Sequence, residues 1–303
     1  MDRIQAMQVF VRVADNGSFS RAAESLHLPR ATVSTLVSQL ETHLGVRLLH
    51  RTTRTVNLTI DGALYYEHCV RLLADLEEME ARFQQTATRP KGRLKVDVPG
   101  RLARLVLIPA LAEFLQQHPE LELEMGVTDR PIDLIQEGVD CVVRVGDLQD
   151  SRLVARRVGM LPQRNFASPD YLARYGIPET LEDLQRHYAV NYASPLTGKV
   201  YDWEYLEDGT LKTLPMAARV TVNNAEAYMA CAIAGLGLVQ APEYDTTDAV
   251  RAGELVEVLS RWQPPSMPVA VLYPHRRHLS SRVRAFTDWV AYLLARKPGV
   301  HTG

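Results

Sequence analysis

The sequence predicts an α+β multidomain chain: a small helical amino-terminal domain closed by a two-stranded wing, a long linker helix, and an α/β region of two lobes. Three observations predict it. Residues 1–60 show helical apolar spacing interrupted by tight-turn residues, residues 65–83 carry a coiled-coil-like seam, and from residue 94 strand alternation and helical spacing take turns. A length of 303 residues at 46% apolar and 23% charged suits two globular domains and excludes disordered, collagen-like and fibrous chains.

In the first segment, Ile4, Met7, Val11 and Ala14 stand at offsets 0, 3, 7 and 10, an amphipathic helix that Asn16-Gly17 ends. Ser18 caps a second helix, Phe19 to Leu26, whose Ala22 and Ala23 let another helix approach closely. After a turn at His27-Leu28, Pro29 suits a first helical position, and Val33, Leu36, Val37, Leu40 and Leu44 share one face of a third helix. Its opposite face is polar and uncrowded, with Arg30, Ala31, Ser34, Thr35, Ser38 and Thr42. Two helices joined by a short turn, the second buried on one side and uncrowded on the other, form what a helix-turn-helix needs to enter a major groove. Leu48 to Leu58 then reads as two short strands around a basic turn, a wing from which Arg51 and Arg54 reach phosphate or a narrow minor groove and, with Thr52 and Thr53, position the protein on the backbone.

Charge supports this placement. The net charge of -2 conceals a basic first sixty residues, at +3 with seven Arg against four acids, and an acidic remainder at -5. One end of the chain is thereby suited to a polyanion.

Thr59 is expected to cap a long helix running to about Thr88. Within it Tyr65, Cys69, Leu72, Leu76, Met79 and Phe83 alternate steps of four and three, the seam of a coiled coil, which predicts a homodimer. Thr88-Arg89-Pro90-Lys91-Gly92 breaks the helix as a hinge. The expected domains are therefore 1–58, 59–89 and 90–303.

Beyond the hinge, Leu94, Val96 and Val98 alternate as a strand, Arg101 to Gln117 has helical spacing, and Leu121, Leu123, Met125 and Val127 alternate again. A helix at Ile132–Glu137, a strand at Cys141–Val145 and alternation around Val220, Leu238 and Val269 lead to a final helix near Ser280–Arg296. The stretch from about 164 to 266 has its own strands and helices. Lobe I is thus about 93–163 and 267–303, lobe II about 164–266, and a small ligand belongs in the cleft between them, at strand carboxyl ends. Val222-Asn223-Asn224 ends one such strand, with Asn224 placed to cap the next helix and Asn223 freer to face the cleft.

Other function classes find little support. There is no GxSxG, HExxH, Walker loop or full dinucleotide fingerprint, and Gly235-Leu236-Gly237 lacks the third glycine. Cys69, Cys141 and Cys231 show neither a disulfide framework nor zinc spacing, so no metal, no cofactor and a reducing compartment are expected. No run has the apolar length of a membrane span and the first residues lack signal-peptide order, so the expectation is a cytoplasmic protein that uses no membrane. An exported solute-binding protein would leave the first sixty residues without a purpose.

The chain resembles the LysR-type transcriptional regulators over essentially its whole length. The resemblance rests first on Phe10, Val13-Ala14, Gly17-Ser18-Phe19-Ser20, Ala22-Ala23, Leu26, Val33-Ser34, Leu40-Glu41, Leu44-Gly45, Leu48-Leu49, Arg51, Leu58-Thr59 and Asp61-Gly62. Further along, Pro109, Phe114, Pro119, Arg144-Val145-Gly146, Ala167-Ser168-Pro169, Tyr171-Leu172 and Gly235-Leu236-Gly237-Leu238 look like the family's effector domain. The resemblance implies a winged helix-turn-helix, a linker helix and a periplasmic-binding-protein-like sensor, assembled as a homotetramer from two dimers. It implies double-stranded DNA carrying an interrupted palindrome, a small-molecule effector, and RNA polymerase as partners.

The chain departs from the family pattern in two places. Where relatives open the reading helix with Ser-Gln-Pro or Ser-Gln-Ser, this chain has Pro29-Arg30-Ala31, which puts arginine at the base-reading glutamine position; it either reads a guanine or holds phosphate. Where relatives place Ser or Thr after the first sensor strand, it has Pro99, Gly100, Arg101 and Leu102, and Arg101 is either a clamp for a small organic anion or a surface arginine beside a turn glycine. Ser194 and Gln240 match positions where the family lines its pocket or hinge, with turn chemistry as the other reading of both, and they complete the expected effector set with Asn223 and Asn224.

Overall fold

The computed structural model describes residues 2–51, 56–83, 90–134, 137–146, 153–274, 279–297 and 300. It divides into two compact units, Met1–Arg89 and Pro90–Gly303.

The first unit begins with α1 (Arg3–Asn16), capped by Asp2 and closed by Gly17 at φ +57°, and continues with α2 (Phe19–Leu26), capped by Ser18. His27, also left-handed, makes the turn into α3 (Arg30–Leu44). Pro29 stands one place earlier than expected, as the residue before the helix. Two short antiparallel strands, β1 (Leu49–Arg51) and β2 (Val56–Leu58), pair Leu49 with Leu58 and Arg51 with Val56. The linker helix α4 (Ile60–Phe83) follows. Ala6, Val9, Phe10, Val13, Ala22, Val33, Val37, Leu40 and Leu48 form the core, with apolar spacing on each helix turned to the common centre. Gly62 lets α4 seat directly on the wing, because a Cβ there would lie 1.9 Å from the Leu48 carbonyl oxygen.

The second unit starts with β3 (Gly92–Val98), the three-residue α5 (Gly100–Leu102), a π-helical turn over Ala103–Leu107, and α6 (Ile108–Gln117). The single helix expected over this stretch is thus interrupted. Pro109 has no N–H for the Leu105 carbonyl, and the widened turn instead bonds the Ile108 N–H to the Ala103 carbonyl. Next come β4 (Leu121–Val127), β5 (Cys141–Val145) and β6 (Leu153–Leu161). The helix expected at Ile132–Glu137 does not form among the described residues there, where Ile132 and Asp133 are irregular and Leu134 and Glu137 lie in turns.

At Pro162 the chain leaves this sheet. It forms β7 (Gln163–Ala167), α7 (Pro169–Tyr175), β8 (Tyr188–Tyr192), the hairpin β9 (Trp203–Glu207) and β10 (Thr210–Leu214), and then β11 (Ala217–Val222). After these come α8 (Ala225–Ile233), β12 (Val239–Pro242), α9 (Glu243–Arg251) and β13 (Val256–Val258). Finally β14 (Met267–Pro274) and α10 (Ser281–Ala295) return to the first sheet.

Lobe I is a five-stranded sheet ordered β4-β3-β5-β14-β6, parallel among β4, β3 and β5 and antiparallel where β14 enters. Leu94, Val96, Val98, Phe114, Val143, Val269, Val271 and Phe286 fill its core. Lobe II holds the three-stranded sheet β12-β7-β13 and the parallel pair β11-β8. Gly237 joins these two sheets: a Cβ there would lie 2.7 Å from the Ala189 carbonyl carbon, and Leu238 bridges to Ala189. The parallel register Val98↔Val127 brings the carboxyl ends of β3 and β4 side by side, which sets Gly100 and Asp129 next to each other.

Candidate functional site

The third helix is divided as its spacing predicts. Val33, Val37 and Leu40 are fully buried, while Arg30, Ala31 and Thr35 are exposed and Ser34 and Ser38 half-buried on the other side. The Thr35 hydroxyl donates to the Ala31 carbonyl at 2.9 Å, which holds its side chain low against the helix. These five residues, at offsets 0, 1, 4, 5 and 8, share one shallow polar face. The strand backbone at Arg51 pairs with Val56; the Arg51 side chain and Thr52, Thr53 and Arg54 lie outside the described residues.

The expected seam of α4 splits in two. Cys69, 2% exposed, packs with Tyr65 into the core of its own domain, and Tyr65 lies 5.7 Å from the Phe10 ring. Burial pushes the Cys69 thiol up to about 11 and the Tyr65 hydroxyl up to about 12. These two residues therefore face inward in the single chain. Leu72 is exposed, Leu76 is half-buried, and the Met79 and Phe83 side chains lie outside the described residues. Exposed Ile60 and Leu64, which the seam omitted, stand at i, i+4 spacing on the outer side of the same helix.

In the second unit, side chains of the two lobes pair with one another across the expected cleft. Arg101 does not reach into it as an open clamp. Its Nη1 donates to Glu226 Oε2 at 2.9 Å, its Nη2 donates to the Asp245 carbonyl at 2.8 Å, and its guanidinium also pairs with the Asp245 carboxylate. Arg104 adds a bond from Nε to Glu226 Oε1 at 2.9 Å. Burial alone would raise the Glu226 carboxyl, but hydrogen bonds from Arg104 and Arg101 outweigh it and hold the group below its usual range. Arg101 and Arg104 belong to lobe I, and Glu226 and Asp245 to lobe II.

The other expected effector residues divide by role. Pro99 is the half-buried residue before α5, and Leu102 is fully buried in the lobe I core, which takes it out of the cleft. Gly100 donates its N–H to Asp129 at 3.2 Å. Asn224 caps α8 through Oδ1, accepting the Ala227 N–H at 3.1 Å, and donates from Nδ2 to Asp129 at 3.1 Å. Asn223 is exposed. Ser194 Oγ accepts the Leu196 and Thr197 N–H groups, which is turn chemistry. Gln240 is held in lobe II by Asn165, the Glu204 backbone and the Tyr228 hydroxyl. Sequence reasoning missed Asp129, Arg104, Glu226 and Asp245. The position of Asp129 two residues beyond a strand end was the signal, and it gains meaning only once β3 and β4 are known to be neighbours.

Among the described residues no group of His, Cys, Asp and Glu side chains fits a metal ion, and no helix is long and apolar enough to cross a membrane.

Comparison with known proteins finds matches over both ends of the chain. Residues 4–63 match the bacterial regulatory helix-turn-helix protein, lysR family, and residues 87–295 match the LysR substrate binding domain. The chain is 41% identical over 291 residues to an uncharacterized HTH-type transcriptional regulator, YhjC, of Escherichia coli, covering 96% of this chain and 97% of that protein. An HTH-type transcriptional repressor of Pseudomonas aeruginosa is 39% identical, covering 99% of this chain and 95% of that one. Among solved structures, CrgA, a LysR-type transcriptional regulator from Neisseria meningitidis, superposes with a TM-score of 0.60 at 31% identity, covering 95% of this chain and 97% of that chain. The Vibrio cholerae virulence activator AphB gives 0.55 at 28% identity, covering 94% and 97%. With both domains matched and the relatives aligned nearly end to end, the chain belongs to the LysR family of DNA-binding transcriptional regulators with a substrate-binding effector domain.

Proposed function

We propose that α3 reads base edges in the major groove of an interrupted palindrome through Arg30, Ala31, Ser34, Thr35 and Ser38. Arg51, Thr52, Thr53 and Arg54 position the wing on the sugar-phosphate backbone. The observation that carries this reading is the division of α3 into a fully buried apolar face and an opposite face whose side chains are short apart from Arg30. Such a face lets the helix backbone approach the groove, with one long donor at its start. Arginine's bidentate fit to guanine O6 and N7 contributes about 1–3 kcal/mol of discrimination, so the half-site carries a guanine opposite Arg30. The test is binding of wild type and Arg30→Ala to operators with each candidate guanine replaced. Wild type loses roughly 5- to 150-fold at one position and the variant loses nothing further there. A uniform loss in Arg30→Ala across all operators assigns Arg30 to phosphate and overturns the guanine reading.

The cleft between lobes I and II is the effector site in this reading. A small molecule there shifts the equilibrium between arrangements of the oligomer, and with it the bend of the DNA and the recruitment of polymerase. Arg101 is engaged with Asp245 and Glu226, so the anion class expected for the effector no longer rests on that side chain. The chain dimerises through α4 and assembles as a tetramer in the cytoplasm, where its DNA is.

A further inference from the structure

Asp129 sits on a loop that is fixed from several sides. The Thr128 N–H donates to the Val98 carbonyl at 3.1 Å, and the Arg130 N–H donates to Thr128 Oγ1 at 3.1 Å. Arg144, ion-paired at 2.8 Å with buried Asp97, donates to the Arg130 carbonyl at 3.1 Å. From this loop in lobe I the Asp129 carboxylate reaches lobe II. Its Oδ2 accepts the Ala225 N–H at 2.9 Å and Asn224 Nδ2 at 3.1 Å, while its Oδ1 accepts the Gly100 N–H at 3.2 Å.

Those three donors are arranged as a carboxylate site. Ala225 begins the nine-residue α8, where unsatisfied N–H groups and the helix dipole favour negative charge. Asn224 adds a side-chain donor and is itself oriented by its bond to Ala227. Gly100 supplies a backbone N–H from the opposite lobe. Arg101 and Arg104 flank the cradle, and their charges are met by Glu226 and Asp245. The cradle therefore has its anion and the arginines beside it have theirs, with every one of these pairs except Gly100–Asp129 crossing between lobes.

We propose that Asp129 is a built-in anion of the sensor cleft: it fills the carboxylate cradle of Gly100, Asn224 and Ala225 and holds the two lobes together without an effector. The regulatory meaning rests on reading this cleft as the effector site. Closure is then a property of the chain alone, and a carboxylate-bearing effector acts by displacing Asp129 rather than by entering an empty site. The bound and unbound states differ in which carboxylate bridges the lobes, which gives an effector the differential contacts that a population shift requires.

The test is rescue of full-length Asp129→Ala by acetate, read as the melting temperature against chloride at equal ionic strength. The variant melts lower than wild type and shows a saturable, acetate-specific rise of roughly 2–4 °C at about five times the half-saturating concentration. Wild type shows no acetate-specific rise, because its cradle is filled. Adding Asn224→Asp, which keeps a helix cap but places a like charge in the cradle, abolishes the rescue. Where Asp129→Ala does not accumulate folded, refolding yield in acetate against chloride gives the same reading. An equal acetate response in Asp129→Ala and wild type, or an undiminished response in the double variant, overturns the proposal. Operator binding by wild type, measured alongside, separates the two readings: a failed rescue with specific DNA binding intact removes the built-in anion and leaves the regulator.

Discussion

The Glu41 carboxylate accepts the backbone N–H of Leu48 at 2.9 Å, and the same oxygen accepts that of Leu49 at 3.1 Å. Glu41 lies in the last turn of α3 and Leu49 opens the wing, so one side chain ties the end of α3 to the first wing strand. Glu41→Ala leaves two part-buried donors without this acceptor and is expected to destabilise the domain by about 1–3 kcal/mol. Glu41→Gln retains a neutral acceptor and costs less. Thermal unfolding followed by circular dichroism, with operator affinity measured beside it, checks both, and equal stability of Glu41→Ala and wild type contradicts the bracing role.

Gly62 stands where α4 crosses the wing, and an added Cβ meets the backbone oxygen of Leu48, which cannot rotate away as a side chain end does. Gly62→Ala is expected to cost about 1–3 kcal/mol through displaced backbone. Gly92→Ala makes a useful contrast. Its added carbon meets nothing within 4 Å, so its cost comes from backbone strain at φ +84° alone. Melting curves in which Gly62→Ala matches wild type refute the close seating of α4.

His187 is 4% exposed, and its Nδ1 lies 3.1 Å from the Tyr171 hydroxyl. Burial pulls the imidazole below its ordinary value of 6.5, against the opposing charge of Asp183. The unfolded chain binds a proton before the folded one does, so this contribution is complete above about pH 6.5 and is lost as pH falls from there through the lower, folded-state value. Calorimetry from pH 7.5 to 5 is expected to show the effector domain melting lower on the acid side. His187→Gln flattens that part of the curve. An unchanged slope in the variant assigns the pH dependence elsewhere.

The proposed dimerisation through α4 is expected to use the side of the helix that the domain core leaves exposed. Leu64 is 61% exposed and Leu72 is 50% exposed, whereas Cys69 is 2% exposed. Leu64→Glu with Leu72→Glu is expected to raise the dissociation constant of the dimer at least tenfold, because both changes place charge in an apolar contact. Cys69→Ala lowers the melting temperature of its own domain and leaves that constant unchanged. Sedimentation equilibrium across concentration distinguishes the two, and loss of the dimer in Cys69→Ala alone restores the inward residues to the seam.

Much of the amino-terminal domain was legible because its local signals agree. Ser18 caps where a serine before a helix should, Gly17 takes the left-handed turn, and Val33, Val37 and Leu40 mark the inner face of α3. The linker seam was half legible for a physical reason. Apolar spacing shows that Tyr65 and Cys69 are buried, but it carries no information on whether the burying surface belongs to the same chain or to another. Arg101 shows the same limit for charge, since its partner Asp245 lies 144 residues away in sequence. The π-turn before Pro109 was visible only as a proline inside a helical pattern. Asp129, with no motif around it, acquires its donors from the β3–β4 register and from α8 in the other lobe.

The central claim, that the outer face of α3 selects DNA sequence, is tested most directly by capture of the DNA bound by the protein across its host genome. Wild type is compared with a variant carrying Arg30→Ala, Ser34→Ala and Thr35→Ala. The account predicts discrete wild-type peaks that share an interrupted palindrome and are lost in the variant. Equal occupancy by the two proteins, with no shared motif, would contradict it.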